Sequence, residues 1–196
     1  MTSGGNVEFY MNEHRIRAAM AEDVSAITEI VDQAYRHYIA RMGKPPGPML
    51  DDYAARVLAG AVWVLEEGAA VAGIIVLLPA PDYLLLDNIA ISPARQGLGL
   101  GRRLLAFAEA EALRLGYSEI RLYTHQTMVE SQRLYASIGY VETGRSSESG
   151  YDRVFMCKQL RGYPLWSEDD PRFSRKMGRS GRLGVDHGAI RGGRGA

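Results

Sequence analysis

Tyr83–Leu105, YLLLDNIAISPARQGLGLGRRLL, is the stretch on which the reading of the fold turns. An apolar run, Leu84–Leu86 and then Ile89–Ile91, predicts a buried strand with Asp87 and Asn88 in its middle. Pro93 closes the run, Gln96-Gly97-Leu98-Gly99-Leu100-Gly101 follows, and Arg102-Arg103 lead a helix. Strand, glycine-rich turn and helix start in that order make a phosphate cradle. Glycine lets the backbone approach an anion, and the first N–H groups of a helix have no partner inside it. Two better-known glycine loops fail on spacing. The dinucleotide fingerprint G-x-G-x-x-G meets Arg102 or Leu104 where its last glycine belongs, and no Gly-Lys pair is present for a P-loop. The competing reading is a glycine-rich turn that holds no ligand.

Reading outward from the cradle, the helix runs from about Gly101 to Leu115, burying Leu105, Ala108, Ala112 and Leu115, with Gly116 as its stop. Glu119–Thr124 is the next strand, with Ile120, Leu122 and Thr124 alternating against Arg121, Tyr123 and His125. A strand–helix–strand unit of this length makes its two strands parallel neighbours. Thr127 and Glu130 have capping-box spacing for a further helix that buries Met128, Ser131, Tyr135 and Ile138 and stops at Gly139. Tyr140-Val141-Glu142 begins a strand, Ser146–Gly150 turns, and Arg153–Leu160 returns.

Upstream, Arg15–Ala19 is a short first strand, and Asp23 caps a helix with Val24, Ile27, Val31 and Tyr38 on one face, ending before Gly43. A stiff Lys44-Pro45-Pro46-Gly47-Pro48 loop leads to a short helix at Asp51–Leu58. Ala61–Leu65 and Val71–Leu78 form a hairpin that feeds the central strand. The order is β-α-α-β-β-β-α-β-α-β-β, one α/β domain over 14–160. A polar leader covers 1–13, and a Gly/Arg-rich tail, read as largely disordered, covers 161–196.

Charge and cysteine content narrow the function classes. The formal net charge of zero gives no global field to draw nucleic acid or a membrane. Eight Lys/Arg against four Asp/Glu make the tail +4 and the rest −4. That is too little for the tail to carry RNA binding. Cys157 is the single cysteine, so no internal disulfide forms, and it reads as a small buried hydrophobe. The first residues show no secretory signal, and the longest apolar run, Ala69–Ala80, is well short of the ~20 residues of a membrane helix. A cytoplasmic location is the expectation, with no membrane or nucleic-acid partner and a homodimer left open.

A second motif fixes the family reading. Gln96, Gly99 and Gly101 fit Q/R-x-x-G-x-G/A, and Leu134-Tyr135-Ala136-Ser137-Ile138-Gly139-Tyr140 follows one helix and one strand later. The pair, in this order and separation, resembles the GNAT superfamily of acyl-CoA N-acyltransferases over about 14–160. The resemblance implies a mixed, mostly antiparallel sheet with a splayed parallel strand pair at its centre and helices on both faces. It also implies acetyl-CoA as co-substrate, no metal, and direct transfer of the acetyl group to a primary amine of a small molecule or protein.

Carried onto these residues, the resemblance puts pantetheine between the splayed strands against the backbones of Ile89, Ala90 and Ile91. The pyrophosphate falls on Gln96, Gly97, Leu98, Gly99, Leu100, Gly101 and Arg102, with Arg103 as a further cation. Ile89 N–H serves as oxyanion donor and Tyr135 as the acid for the leaving thiolate, its competing role being that of a core aromatic. Asp87 is the candidate base, with an equal reading as a carboxylate that fixes Asn88 by hydrogen bonds. His125 is the weaker base candidate, and Glu130 belongs to its capping box. Met128 stands where many members have a pantetheine-contacting asparagine. Tyr35, Arg36, Tyr38, Arg41, Lys44 and the proline run are assigned to the acceptor side by fold analogy. The alternative function is a non-catalytic CoA-binding or regulatory module of the same fold.

Overall fold

The computed structural model describes residues 14–160, so the expectations for the leader and the tail fall outside the described residues. Twelve elements follow one another: β1 (His14–Ala18), α1 (Val24–Tyr35), α2 (Ile39–Met42), α3 (Tyr53–Leu58), β2 (Val62–Glu67), β3 (Ala70–Pro79), β4 (Leu84–Ile91), α4 (Leu100–Arg114), β5 (Glu119–His125), α5 (Val129–Ser137), β6 (Val141–Glu148) and β7 (Tyr151–Gln159). The strands form one sheet in the order β1-β2-β3-β4-β5-β7-β6. β4 and β5 pair in parallel, as the α4 crossover requires, and the other neighbouring strands pair antiparallel.

Each face of the sheet has its own apolar layer. On one, Leu77, Leu84, Leu86, Ile120 and Leu122 pack on Leu104, Leu105 and Ala108 of α4, and Tyr135 of α5 joins them. On the other, Ile74, Val76 and Ala90 meet Ile27 and Val31 of α1 and Tyr53 of α3. Helices on both faces explain why the central strands read as nearly unbroken apolar runs.

Two departures from regular pairing make room for a site. The β4–β5 ladder ends at Leu86↔Leu122, so beyond that rung the two strands part. At the same place the register between β3 and β4 slips, since Val76 pairs with Asn88 and Leu77 with Leu86. Asp87 is therefore a bulge residue. The bulge reverses the side-chain alternation of β4. Leu86 still faces α4, Asp87 and Asn88 both face α1 and α3, and Ile89 and Ile91 turn back toward α4.

Several sequence expectations shift. Leu115 lies beyond the end of α4 and is exposed; the helix starts at Leu100, one residue earlier than expected, and Leu104 takes the buried place. Asp23 precedes α1, but its side chain does not cap the helix. It accepts both ends of the Arg17 guanidinium at 2.6 and 2.9 Å and the Met20 N–H at 2.7 Å, while Arg17 Nε donates to Glu66. The β6–β7 turn is narrower than Ser146–Gly150. Glu148 pairs with Tyr151, and only Ser149 and Gly150, both at positive φ, make the turn.

Candidate active site

The cradle is built from backbone. Gly97 and Gly99 both sit at φ +78°, and Gly99 immediately precedes α4. The first backbone bond of that helix runs from Arg103 N–H to the Gly99 carbonyl at 3.2 Å. Among the described residues, none of the six N–H groups from Gly97 to Arg102 has a backbone or side-chain acceptor. Six free donors at the positive end of a fifteen-residue helix form an anion seat. The side chains around it are already engaged. Gln96 Nε2 donates to the Ile91 carbonyl at 3.2 Å, Arg102 to Ser137 Oγ at 3.1 Å, and Arg103 to the His14 carbonyl at 2.5 Å.

The strand leading to the cradle exposes its backbone to the gap. Ser92 N–H donates to the Ala72 carbonyl at 2.9 Å, which puts Ser92, Ala90 and Asn88 on the β3 side of the alternating ladder. Ile89 and Ile91 therefore direct their N–H and C=O groups into the space between β4 and β5. Side chains meet two of them there, Gln96 at the Ile91 carbonyl and Tyr35 Oη at 3.1 Å from the Ile89 carbonyl. Of the three sequence-assigned strand residues, Ile89 and Ile91 face the gap and Ala90 faces β3.

A cavity of about 590 Å³ occupies the gap. Ile89, Ile91, Gln96 and Gly101 line its cradle end, and Leu134, Tyr135 and Met128 its α5 wall. The far end is lined by Tyr35, Tyr38, Arg56, Asp87, Tyr123 and Arg153. Tyr135 is buried, which raises its pKa and keeps it protonated, and its hydroxyl has no hydrogen-bond partner among the described residues. It is a donor without an acceptor at the edge of the cavity.

Asp87 is tied on both oxygens. Tyr123 Oη donates to Oδ1 at 2.6 Å, and Arg56 lies 3.1 Å from Oδ2 while also pairing with Asp51 at 3.2 Å. The neighbouring Asn88 is buried between two tyrosines, giving an amide proton to Tyr53 Oη at 2.8 Å and accepting from Tyr35 Oη at 2.7 Å. Tyr53 in turn donates to the Pro48 carbonyl. Asp87 itself makes no hydrogen bond to Asn88; the bulge brings the Asn88 amide onto the same α1–α3 face as the Asp87 carboxylate.

In the sequence reading Tyr123 lies on the strand but has no role in the site. Alternation puts it opposite Ile120 and Leu122, on what would be an outward face, and only the parting of β4 from β5 turns that face into a cavity wall. Arg153 stacks 4.2 Å above its ring. His125 ends β5 and accepts the Thr127 N–H on Nδ1 at 3.2 Å, with Thr127 Oγ1 2.8 Å away. Burial lowers its pKa, so the neutral ring with its proton on Nε2 is favoured. Its basic nitrogen is already used.

Comparison with known proteins bears on this geometry. Residues 59–142 match the family described as Acetyltransferase (GNAT) domain. An L-methionine sulfoximine/L-methionine sulfone acetyltransferase of Salmonella typhimurium is 32% identical over 160 residues, covering 74% of this chain and 94% of the relative. The chain belongs to the GNAT acetyltransferase family. It is an N-acetyltransferase, and its transfer chemistry outweighs the reading as a non-catalytic module. A Salmonella typhimurium acetyltransferase solved with its cofactor acetyl-CoA aligns at TM-score 0.60 and 27% identity, covering 76% of this chain and 95% of that one. An N-acetyltransferase of Thermoplasma acidophilum in complex with coenzyme A aligns at TM-score 0.63 and 18% identity over 74% and 98%, a likeness of fold.

Within this GNAT domain one motif detail differs from expectation. Thr127 and Glu130 do not form a capping box. α5 begins one residue later with Met128 at its N-cap position, the Thr127 hydroxyl is taken up by His125, and Glu130 receives Arg41 at 2.9 and 3.0 Å. Met128, at the usual asparagine position, is buried against Thr124 and lines the cavity, offering a thioether where other members offer an amide. Of the residues assigned to the acceptor side, Tyr35 and Tyr38 line the cavity, Arg36 pairs with Asp32, and Lys44 lies over the Tyr151 ring. Cys157 is half-buried on β7, where burial raises its thiol pKa. Among the described residues no group of three or more His, Cys, Asp or Glu is placed to hold a metal ion, and no helix is long and apolar enough to cross a membrane.

Proposed function

We propose that this protein binds acetyl-CoA with its pyrophosphate on the Gly97–Arg102 cradle and its thioester arm along Ile89 and Ile91. The observation that carries the reading is the run of six free N–H groups continuing into a strand whose backbone faces a gap. Pantetheine amides would meet Ile89 and Ile91 as an added strand, with Gln96 yielding the Ile91 carbonyl. The amine attacks the thioester carbon directly. Ile89 N–H receives the oxyanion that forms, and Tyr135 gives its proton to the departing thiolate. A buried phenol suits that task because it stays protonated at neutral pH.

The acceptor arrives from the end of the cavity opposite the cradle. There Asp51 and Asp87 stand near Arg56 and Arg153 among Tyr35, Tyr38 and Tyr123, charges of both signs with aromatic walls. Such a set suits a small amine that also bears an anionic group. L-methionine sulfone, an acceptor in the name of the Salmonella relative, is the first amine to test. A cytoplasmic protein that acts on a soluble amine, with or without a second copy of itself, is consistent with this reading.

The test is thiol release from acetyl-CoA with L-methionine sulfone, L-lysine, spermidine and a peptide with a free amino terminus. Release above the amine-free rate, with acetylated product found by mass spectrometry, is the expected result. Tight acetyl-CoA binding without transfer to any amine would favour the binding-module alternative.

A further inference from the structure

We propose that Tyr123, polarised by Asp87, is the group that receives the N–H of the acceptor amine, an assignment that rests on the transfer reaction proposed above. The argument begins with which way a proton points. A carboxylate facing the Arg56 guanidinium only accepts hydrogen bonds, so the single proton of the Tyr123–Asp87 contact lies on the phenol and is directed at Asp87 Oδ1, 2.6 Å away. Toward the cavity, Tyr123 then offers only lone pairs. No donor among the described residues uses them. An acceptor fixed in that sense selects a ligand that donates, and the reacting nitrogen of a primary amine is such a donor.

The contrast with Tyr135 gives the site a direction. Tyr135 belongs to the α4 side of the sheet, with Leu100, Leu104 and Leu122, and has no acceptor for its proton. Tyr123 belongs to the α3 side, with Arg56, and has its proton committed. The two phenols border one cavity with opposite hydrogen-bond polarity. One end can give a proton to a thiolate, and the other can only take a hydrogen bond from an amine. Burial raises the pKa of both, so neither loses its proton at neutral pH.

Placement agrees with this division. Tyr123 and Asp87 are the first residues past the last β4–β5 rung, Leu86↔Leu122, and Ile89 follows two residues later on β4. Regular alternation from Leu86 already puts Asp87 on the Tyr123 side; the bulge keeps Asn88 there too and returns Ile89 to the α4 face, where unbroken alternation would have reversed both. Around Tyr123, Asp51 and Asp87 share Arg56, while Arg153, stacked on the Tyr123 ring, also pairs with Glu148. A neutral amine, held by Tyr123 with its nitrogen lone pair free, is the species able to attack. Asp87 is on this account a positioning residue acting through Tyr123.

The test is steady-state kinetics on the full chain, with acetyl-CoA and whichever amine of the four-member panel gives the fastest wild-type thiol release. Tyr123→Phe should raise the amine KM about tenfold or more, with the acetyl-CoA dissociation constant unchanged. Asp87→Asn, whose amide can donate to Tyr123 and turn the phenol proton toward the amine, should do the same. The double variant should be no worse than Tyr123→Phe alone. If Tyr123→Phe loses its folded melting transition, Asp87→Asn carries the test through its KM-against-kcat split. An unchanged amine KM in a folded Tyr123→Phe overturns the assignment. So does an Asp87→Asn that lowers kcat far more than it raises the amine KM, because Asp87 would then take the proton itself. Wild-type protein that releases no thiol above hydrolysis with any of the four amines overturns the proposed transfer, and the Tyr123 assignment with it.

Discussion

Gly73 on β3 lies so close to Ile91 on β4 that a Cβ at Gly73 would stand 2.5 Å from Ile91 Cδ1 and 3.0 Å from the Ala90 carbonyl. The absence of a side chain there lets Ile91 lie across β3 with its Cγ1 3.9 Å from where a Cβ of Gly101 would be. Ile91 is thus seated between a strand glycine and a cradle glycine. Gly73→Ala should push it toward the cradle and cost about 1–3 kcal/mol, as overpacking of a closed core does. Denaturant unfolding reads the loss, and calorimetry should show weaker acetyl-CoA binding. A variant as stable as wild type with full affinity would mean that Ile91 moves without consequence.

The cradle is tested by a pair of substitutions at Gly99. No atom lies within 4 Å of a Cβ built there, so a side chain has space, and the backbone at φ +78° is the constraint. Asparagine tolerates that conformation better than most residues, while glutamate adds a carboxylate beside the free N–H groups. Gly99→Asn should leave acetyl-CoA affinity within about threefold, and Gly99→Glu should weaken it at least tenfold, about 1.4 kcal/mol. Equal affinities by calorimetry would remove the pyrophosphate from this loop.

Tyr135→Phe should lower kcat about a hundredfold while sparing the acetyl-CoA dissociation constant, in the range typical of a lost general acid. The pH dependence has a definite sign. Burial moves the Tyr135 pKa upward, so the protonated form persists above its ordinary value near ~10. The wild-type kcat profile should accordingly show no alkaline fall attributable to this group below about pH 10. A fall between about pH 7 and 9 that disappears in Tyr135→Phe would contradict the burial argument.

Arg17, Asp23 and Glu66 supply a stability test away from the cavity. The Asp23 pKa is held below its ordinary value of 3.8, first by the hydrogen-bonded Arg17. A carboxylate whose folded pKa is depressed stabilises the fold above its unfolded pKa, and that stability is lost as pH falls through the folded one. Unfolding free energy should therefore drop below about pH 4 in wild type and much less in Asp23→Asn. At pH 7 the substitution should cost about 2–3 kcal/mol, less than a fully buried pair because Arg17 is partly exposed. Parallel pH–stability curves for the two proteins would refute the linkage.

What the sequence made legible was local, and what it hid depended on register. The cradle is one contiguous turn, so Gly97 and Gly99 could be read from spacing, and Tyr135 from a motif within one helix. The sides on which Asn88 and Ile89 lie are set by how β4 registers against β3, which no window of β4 contains. Tyr123 is hidden for a related reason, since its face becomes a cavity wall only because the β4–β5 ladder stops at Leu86 and Leu122. Thr127 and Glu130 misled because their spacing is right while their atoms have nearer partners, His125 and Arg41.

Those partners lead to a last prediction, about the acceptor end. Tyr151 Oη donates to the Pro45 carbonyl at 2.8 Å, Lys44 Nζ donates to the Gly150 carbonyl at 2.5 Å and lies 3.4 Å from the Tyr151 ring centre, and Arg41 holds Glu130. Together they join the 41–45 segment to the β6–β7 turn and to α5 across the end of the cavity whose wall includes Pro46, Gly47 and Pro48. These contacts lie at the surface, with the Arg41 and Glu130 side chains 43% and 55% exposed, and each contributes on the order of 1 kcal/mol or less. Such a clasp can open and close readily while still defining the walls met by the amine. Combining Tyr151→Phe with Lys44→Ala should therefore raise the amine KM several-fold, with acetyl-CoA affinity unaltered, because the cradle lies at the other end. Raising salt should move wild type in the same direction, by screening the Arg41–Glu130 pair. An amine KM that ignores both changes would place acceptor entry elsewhere on the domain.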